Sequence, residues 1–208
     1  MKIKDYKLFL ESKQTKEEID SICKQYDIKN YTINNDGSID VDGDVYLSNE
    51  RLTKLPLKFG KVTGYFNCDN NLLTSLEGSP NWVGGCFSCG DNKLKTLNGC
   101  PSYVGGYFDC YNNQLTTLKG GPETVIGDYI FYSNNLVNFK GFPEYHYEYT
   151  YCNANPVYKL IENIPEDKHN KFIYWCNEFE AIDDNGTVIP ERMEEVYNKL
   201  GLEYNEEN

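Results

Sequence analysis

The sequence predicts an α/β repeat solenoid: a parallel β-sheet with an irregular convex side, built from like units and capped at both ends. A parallel β-helix is the alternative. Three observations carry this reading: one fixed spacing of 21 residues, strand-like alternation inside each unit, and helix signals confined to the flanks. The spacing runs without insertion. Leu52, Leu73, Leu94, Leu115, Leu136 and Val157 are each followed three residues later by Leu55, Leu76, Leu97, Leu118, Phe139 and Leu160. Asn71, Asn92, Asn113, Asn134 and Asn155 recur two residues before them, with Glu50 as the first unit's exception. Cys68, Cys89, Cys110 and Cys152 share a position that Leu47 and Phe131 fill elsewhere. Gly78, Gly99, Gly120 and Gly141 each precede Pro80, Pro101, Pro122 or Pro143 by two residues, and Val62, Val83, Val104 and Val125 each precede Gly64, Gly85, Gly106 or Gly127.

Taken in chain order, residues 1–42 form an N-terminal cap. Thr15-x-x-Glu18 is a capping box, and Ile19, Ile22 and Cys23 then fall on one helix face. Tyr31 to Ile33, the Asn-Asp-Gly turn at 35–37, and Ile39 to Val41 read as a hairpin. Residues 43–161 hold six repeats. In Gly106-Tyr-Phe-Asp-Cys110, Phe108 and Cys110 share one face and Tyr107 and Asp109 the other, the period of a strand. The Asn turns the chain and its amide bonds backbone groups, Leu-x-x-Leu buries the return path, and Gly and Pro make a short back side. One unit cannot bury its apolar row, but stacked units bury a continuous one. Residues 162–208 form an acidic helical cap. A helix is expected over 166–179, a turn at Asp184-Asn-Gly186, and a second helix from Pro190 to Leu200, ended by Gly201.

The pattern Phe-x-Cys-x-x-Asn-x-Leu-x-x-Leu-x-Gly-x-Pro resembles a short bacterial-type leucine-rich repeat. Residues 104–118, 32–45 and the Asn155-Pro-Val-Tyr158 exit are more particularly similar to leucine-rich-repeat-like proteins of large tailed bacteriophages. The resemblance implies the solenoid fold and a viral origin, and brings no activity with it.

Charge and composition then narrow the function. The chain has 208 residues, 32 acids, 20 bases and a net charge of -12. Thirteen of the acids against four bases lie in 162–208, whereas 39–161 carry 12 acids and nine bases. The acidity is thus mainly a property of the C-terminal cap, where it favours solubility. Phosphate recognition needs clustered Lys and Arg, so nucleic acid and anionic membrane are not expected partners. With neither a long apolar window nor an apolar leader, the expected location is cytoplasmic, a host bacterial cytoplasm if phage-encoded.

Several features imitate chemistry. Cys86-Phe-Ser-Cys89 looks like a metal or redox pair, but an odd offset on a strand sends the two sulfurs to opposite faces. The repeated cysteines read as a buried ladder of small hydrophobes, reduced in the cytoplasm. Asp36, Asp40, Asp42 and Asp44 suggest a calcium loop, yet the sixth and twelfth positions are Val41 and Leu47 counted from Asp36, and Val45 and Arg51 counted from Asp40. His146 and His169 have no visible catalytic partner. The expectation is therefore a non-enzymatic protein with no metal and no cofactor.

Strand register defines a concave face. Its expected binding residues are Tyr46, Tyr65, Asn67, Asp69, Ser88, Tyr107, Asp109, Tyr111, Asp128, Ile130, Tyr132 and Tyr151, with a dip at Cys86, Ser88 and Gly90. Tyrosine gives large amphipathic contact area at low entropy cost, and a Tyr/Asp face without bases suits a partner with a basic patch. The expected function is a protein-interaction module, monomeric or weakly self-associating, binding a host protein such as a bacterial defence factor. The alternatives are a minor virion or assembly component, and a protein that sequesters a small ligand in the dip.

Overall fold

Each repeat supplies two short strands rather than one. In the computed structural model, which describes residues 14–143, 145, 146 and 148–205, the strands are β1 (Tyr31–Ile33), β2 (Ile39–Val41), β3 (Val45–Tyr46), β4 (Phe59–Val62), β5 (Phe66–Asn67), β6 (Trp82–Val83) and β7 (Phe87–Ser88). There follow β8 (Tyr103–Val104), β9 (Phe108–Asp109), β10 (Thr124–Val125), β11 (Tyr129–Ile130), β12 (Tyr145–His146) and β13 (Thr150–Tyr151). The first sheet has the order β1-β2-β4-β6-β8-β10-β12, and the second has the order β13-β11-β9-β7-β5-β3. All pairings are parallel except β1 with β2, and the register advances by one repeat per coil: Phe66 faces Phe87, which faces Phe108.

The fold is thus the expected solenoid, in the form of the parallel β-helix alternative. The stretch expected to be an irregular back carries the first sheet, because Val62, Val83, Val104 and Val125 have the β-branched, fully buried character that pairing rewards. What stays irregular is the side between Asn and Gly.

The corner between the sheets explains the recurring Gly64, Gly85, Gly106 and Gly127. A Cβ on Gly85 would lie 2.8 Å from the carbonyl of Gly64, and one on Gly127 would lie 2.8 Å from Gly106, so only glycine lets successive coils close there. Inside, Phe66, Phe87, Phe108 and Tyr129 stack with centroids 5.4, 5.5 and 5.1 Å apart. Beside them Cys68, Cys89, Cys110 and Cys152 and the leucine rows are buried, apart from the end members Leu52 and Leu160, which are partly exposed.

The recurring Asn turn is a buried amide ladder. Asn92 Nδ2 donates to Cys68 O (3.0 Å) in the preceding coil and to Cys89 O (3.2 Å) in its own, and Leu73 N–H donates to Asn92 Oδ1 (2.9 Å). Asn71, Asn113, Asn134 and Asn155 repeat this arrangement. The residue before each Asn is left-handed, with φ of 51°, 49°, 47°, 55° and 53° at Asn70, Asp91, Asn112, Ser133 and Ala154.

The ends follow the sequence closely. Helix α1 (Lys16–Gln25) begins with the Thr15/Glu18 capping box. The β1–β2 hairpin then joins the first sheet through β4. Residues 1–13, the start of the expected N-terminal cap, lie outside the described residues. After the last coil come 3-10 helices at Pro156–Leu160 and Glu166–Lys168, then α2 (His169–Glu178) and α3 (Pro190–Leu200), the latter closed by left-handed Gly201. Helix α2 buries Phe172, Ile173 and Cys176 against the end of the stack. Phe172 meets Phe139 edge-on at 6.3 Å, and Asn177 Nδ2 donates to Phe139 O (2.9 Å). No helix among the described residues is long and apolar enough to cross a membrane.

Candidate interaction face

The second sheet turns its Phe and Cys rows inward, which leaves Tyr46, Asn67, Ser88, Asp109, Ile130 and Tyr151 as its outward row. All twelve expected residues belong to this face or its margins, but they are not equally available. Tyr46 and Tyr151 are 56% and 45% exposed, whereas Ser88 is 1% exposed.

The dip is absent. Tyr65 and Tyr107 reach across the small residues of the intervening coil and meet edge-to-face at 5.9 Å. Tyr111 lies over Gly90, where a Cβ would stand 2.0 Å from its ring. Its hydroxyl donates to Asp91 Oδ2 (2.5 Å), and its ring stacks on Tyr132 at 5.2 Å. Side-chain length explains the difference: a tyrosine spans the distance between coils of about 4.8 Å, so small residues in one coil are roofed by the next. Ser88 is consequently a buried hydrogen-bond donor, and Tyr65, Tyr107 and Tyr111 roof the place where the dip was expected.

Three carboxylates are set into this tyrosine layer. Asp69 Oδ1 accepts from Ser88 Oγ (2.6 Å) and Gly90 N–H (2.6 Å), and Asp109 Oδ1 accepts from Tyr111 N–H (3.0 Å). Burial raises the pKa of Asp69 above the ordinary carboxylate range despite those bonds. Asp109 is pushed to about 7, by burial first and then by the charges of Asp69 and Asp91. Burial also raises the hydroxyls of Tyr65, Tyr107, Tyr111 and Tyr132, which stay neutral. The face therefore offers aromatic surface with concentrated negative potential.

The Asp row that resembled a calcium loop is engaged otherwise. Asp40 Oδ1 accepts from Lys61 N–H (2.8 Å), Asp42 Oδ1 from Thr63 Oγ1 (2.9 Å), and Asp44 Oδ1 from Tyr65 N–H (2.7 Å). Each carboxylate thus ties one coil to the next. Cys89 is in the core while Cys86 is half-buried beside Tyr107, all eight cysteines are free, and burial raises the Cys86 and Cys152 thiols, the latter to about 12.

Two surface features were not read from the sequence. On the outer side of the first sheet, Lys61 Nζ lies 4.1 Å from the Trp82 ring, which stacks on Tyr103 at 5.6 Å. The 21-residue offset of Lys61, Trp82 and Tyr103 was the available signal. The other is a groove beside β13, in the coil where His146, Glu148 and Thr150 stand in place of Val125, Gly127 and Tyr129 one repeat earlier.

The fold and face define a parallel β-solenoid with an acidic, tyrosine-lined sheet. No protein-family model, curated protein or solved structure matches this chain.

Proposed function

We propose that the protein is a non-enzymatic interaction module that binds a partner protein with a basic patch through the outer face of the second sheet. The observation that supports this best is the half-buried Asp69, Asp91 and Asp109 among Tyr65, Tyr107, Tyr111 and Tyr132, with no Lys or Arg in the outward row. Desolvated acids favour a neighbouring cation, and a Lys or Arg placed over them relieves their mutual repulsion while stacking on the rings. The resemblance to phage proteins extends the reading to a partner in a bacterial host cytoplasm, a defence factor being its sharpest form.

The test is capture from bacterial lysate on the immobilised chain and on the triple variant Tyr46→Ala/Ile130→Lys/Tyr132→Ala, with circular dichroism to establish that both are folded. The reading expects a partner that elutes with moderate salt and is missing from the variant. Recovery of the same partners by the folded variant would contradict it.

A further inference from the structure

We propose that a second copy of this chain docks on the corner between the second sheet and the irregular side, as an antiparallel two-fold dimer. This goes beyond the reading above, since it uses the margin of the tyrosine face and a side of the solenoid which that reading leaves out. The repeat body is electrically divided. Of the nine bases in 39–161, six lie on the side between the Asn turn and the Gly: Arg51, Lys54, Lys93, Lys95, Lys119 and Lys140. Only Glu50 and Glu77 accompany them there. Lys140 is engaged by Asp184, but the other five are exposed and form no ion pair among the described residues.

The corner itself is the line of left-handed residues Asn49, Asn70, Asp91, Asn112 and Ser133. With the coil of β3 counted as the first, the row on its sheet side holds Asp69, Gly90, Tyr111 and Tyr132 in the second to fifth coils. The row on its other side holds Arg51, Leu72, Lys93 and Gln114 in the first to fourth. A two-fold axis through the corner, perpendicular to the stack, reverses the order of the coils and exchanges the two sides. The sheet-side row of one copy therefore meets the opposite row of the other. With the axis at the third coil, the fifth coil faces the first and the fourth faces the second. Tyr132 then meets Arg51, a cation over a ring, and Tyr111 meets Leu72, which is 39% exposed. Asp69 meets the Gln114 amide, and at the axis each Asp91 lies beside Lys93 and Lys95 of the other copy. The antiparallel arrangement also keeps the two acidic C-terminal caps apart. Each comes beside the other copy's residues 1–38, which carry seven acids and seven bases. A phosphate polymer fits this row less well, because Leu72 and Gln114 interrupt the bases that it would need in succession.

Sedimentation velocity of the full chain tests the proposal, with circular dichroism to establish that each variant is folded. The expected result is a monomer–dimer equilibrium with Kd on the order of 100 μM at low salt, weakened about tenfold near 0.5 M salt. At low micromolar concentration the chain is then mostly monomeric, and the second sheet is free for the partner proposed above. Two variants alter the charges at the axis in opposite senses: Lys93→Glu/Lys95→Glu and Asp91→Lys. Each alone should weaken self-association by about tenfold or more. Their equimolar mixture should dimerise at least as well as the unaltered chain, since an acidic third coil then meets a basic one. Lys61→Glu, on the first sheet, should change nothing. A chain that stays monomeric at about 1 mM, or two folded variants whose mixture stays monomeric, would overturn the proposal. Growth beyond the dimer would do so too, because it requires a contact that does not close. So would binding of single-stranded DNA of about 20 nucleotides by a chain that does not self-associate, if Lys93→Glu/Lys95→Glu abolishes it. Capture of a basic partner on the outward row of the second sheet is read separately from all of these, so the two ideas fail independently.

Discussion

Asn113 shows how much of this molecule rests on single side chains. Its amide donates to Cys89 O and Cys110 O and accepts from Leu94 N–H, so it satisfies backbone groups in two coils from a buried position. Asn113→Leu leaves these groups unpaired and should lower unfolding free energy by about 2–3 kcal/mol, whereas Gln114→Ala on the exposed surface should change it little. Urea denaturation measures both. Asp109 gives a pH-dependent counterpart. Its folded pKa of about 7 lies above the ordinary unfolded value, so the folded state holds the proton more tightly. That contribution is fully present below about pH 4 and is lost as pH rises through about 7. Asp109→Asn should therefore flatten this decline and raise the melting temperature at pH 8 by roughly 2–4 °C, read by thermal denaturation across that range. The asparagine turn was legible because five identical residues at one spacing leave few physical explanations. The burial of Ser88 was not, since it depends on how far a tyrosine of another coil reaches.

At the scale of the element, the coil is held by its corners as much as by its strands. Gly85→Ala drives a methyl group against the Gly64 carbonyl at 2.8 Å, with rigid backbone on both sides. Such overpacking should cost about 1–3 kcal/mol, seen as a lower urea midpoint. The caps were the most readable elements. Thr15 with Glu18, the 35–37 turn, Pro190 and Gly201 each carry local chemistry that specifies an end or a reversal without outside help. The first sheet was less readable. Two-residue strands such as Trp82–Val83 are too short for an alternating pattern to register, and they exist only because the neighbouring coils supply partners on both sides.

At the scale of the whole molecule, charge and shape divide the labour. The acidic C-terminal cap closes one end, where Lys140 pairs with Asp184 (2.7 Å) and ties the cap to the fifth coil. The repeat body presents two different outer faces. One carries Lys61 over Trp82 and Tyr103, and the other carries tyrosines and half-buried acids. Because the two sheets carry tyrosines on separate faces, the chain contains its own reporters of where a partner sits. Hydroxyl-radical footprinting of the chain with and without its captured partner is thus the most direct test of the proposed interaction. The account predicts protection of Tyr46, Tyr65, Tyr107 and Tyr132 on the second sheet, with Tyr103 on the first sheet and Tyr174 on α2 unchanged. Protection of Tyr103 or Tyr174, with the second-sheet tyrosines left as reactive as in the free chain, would contradict it.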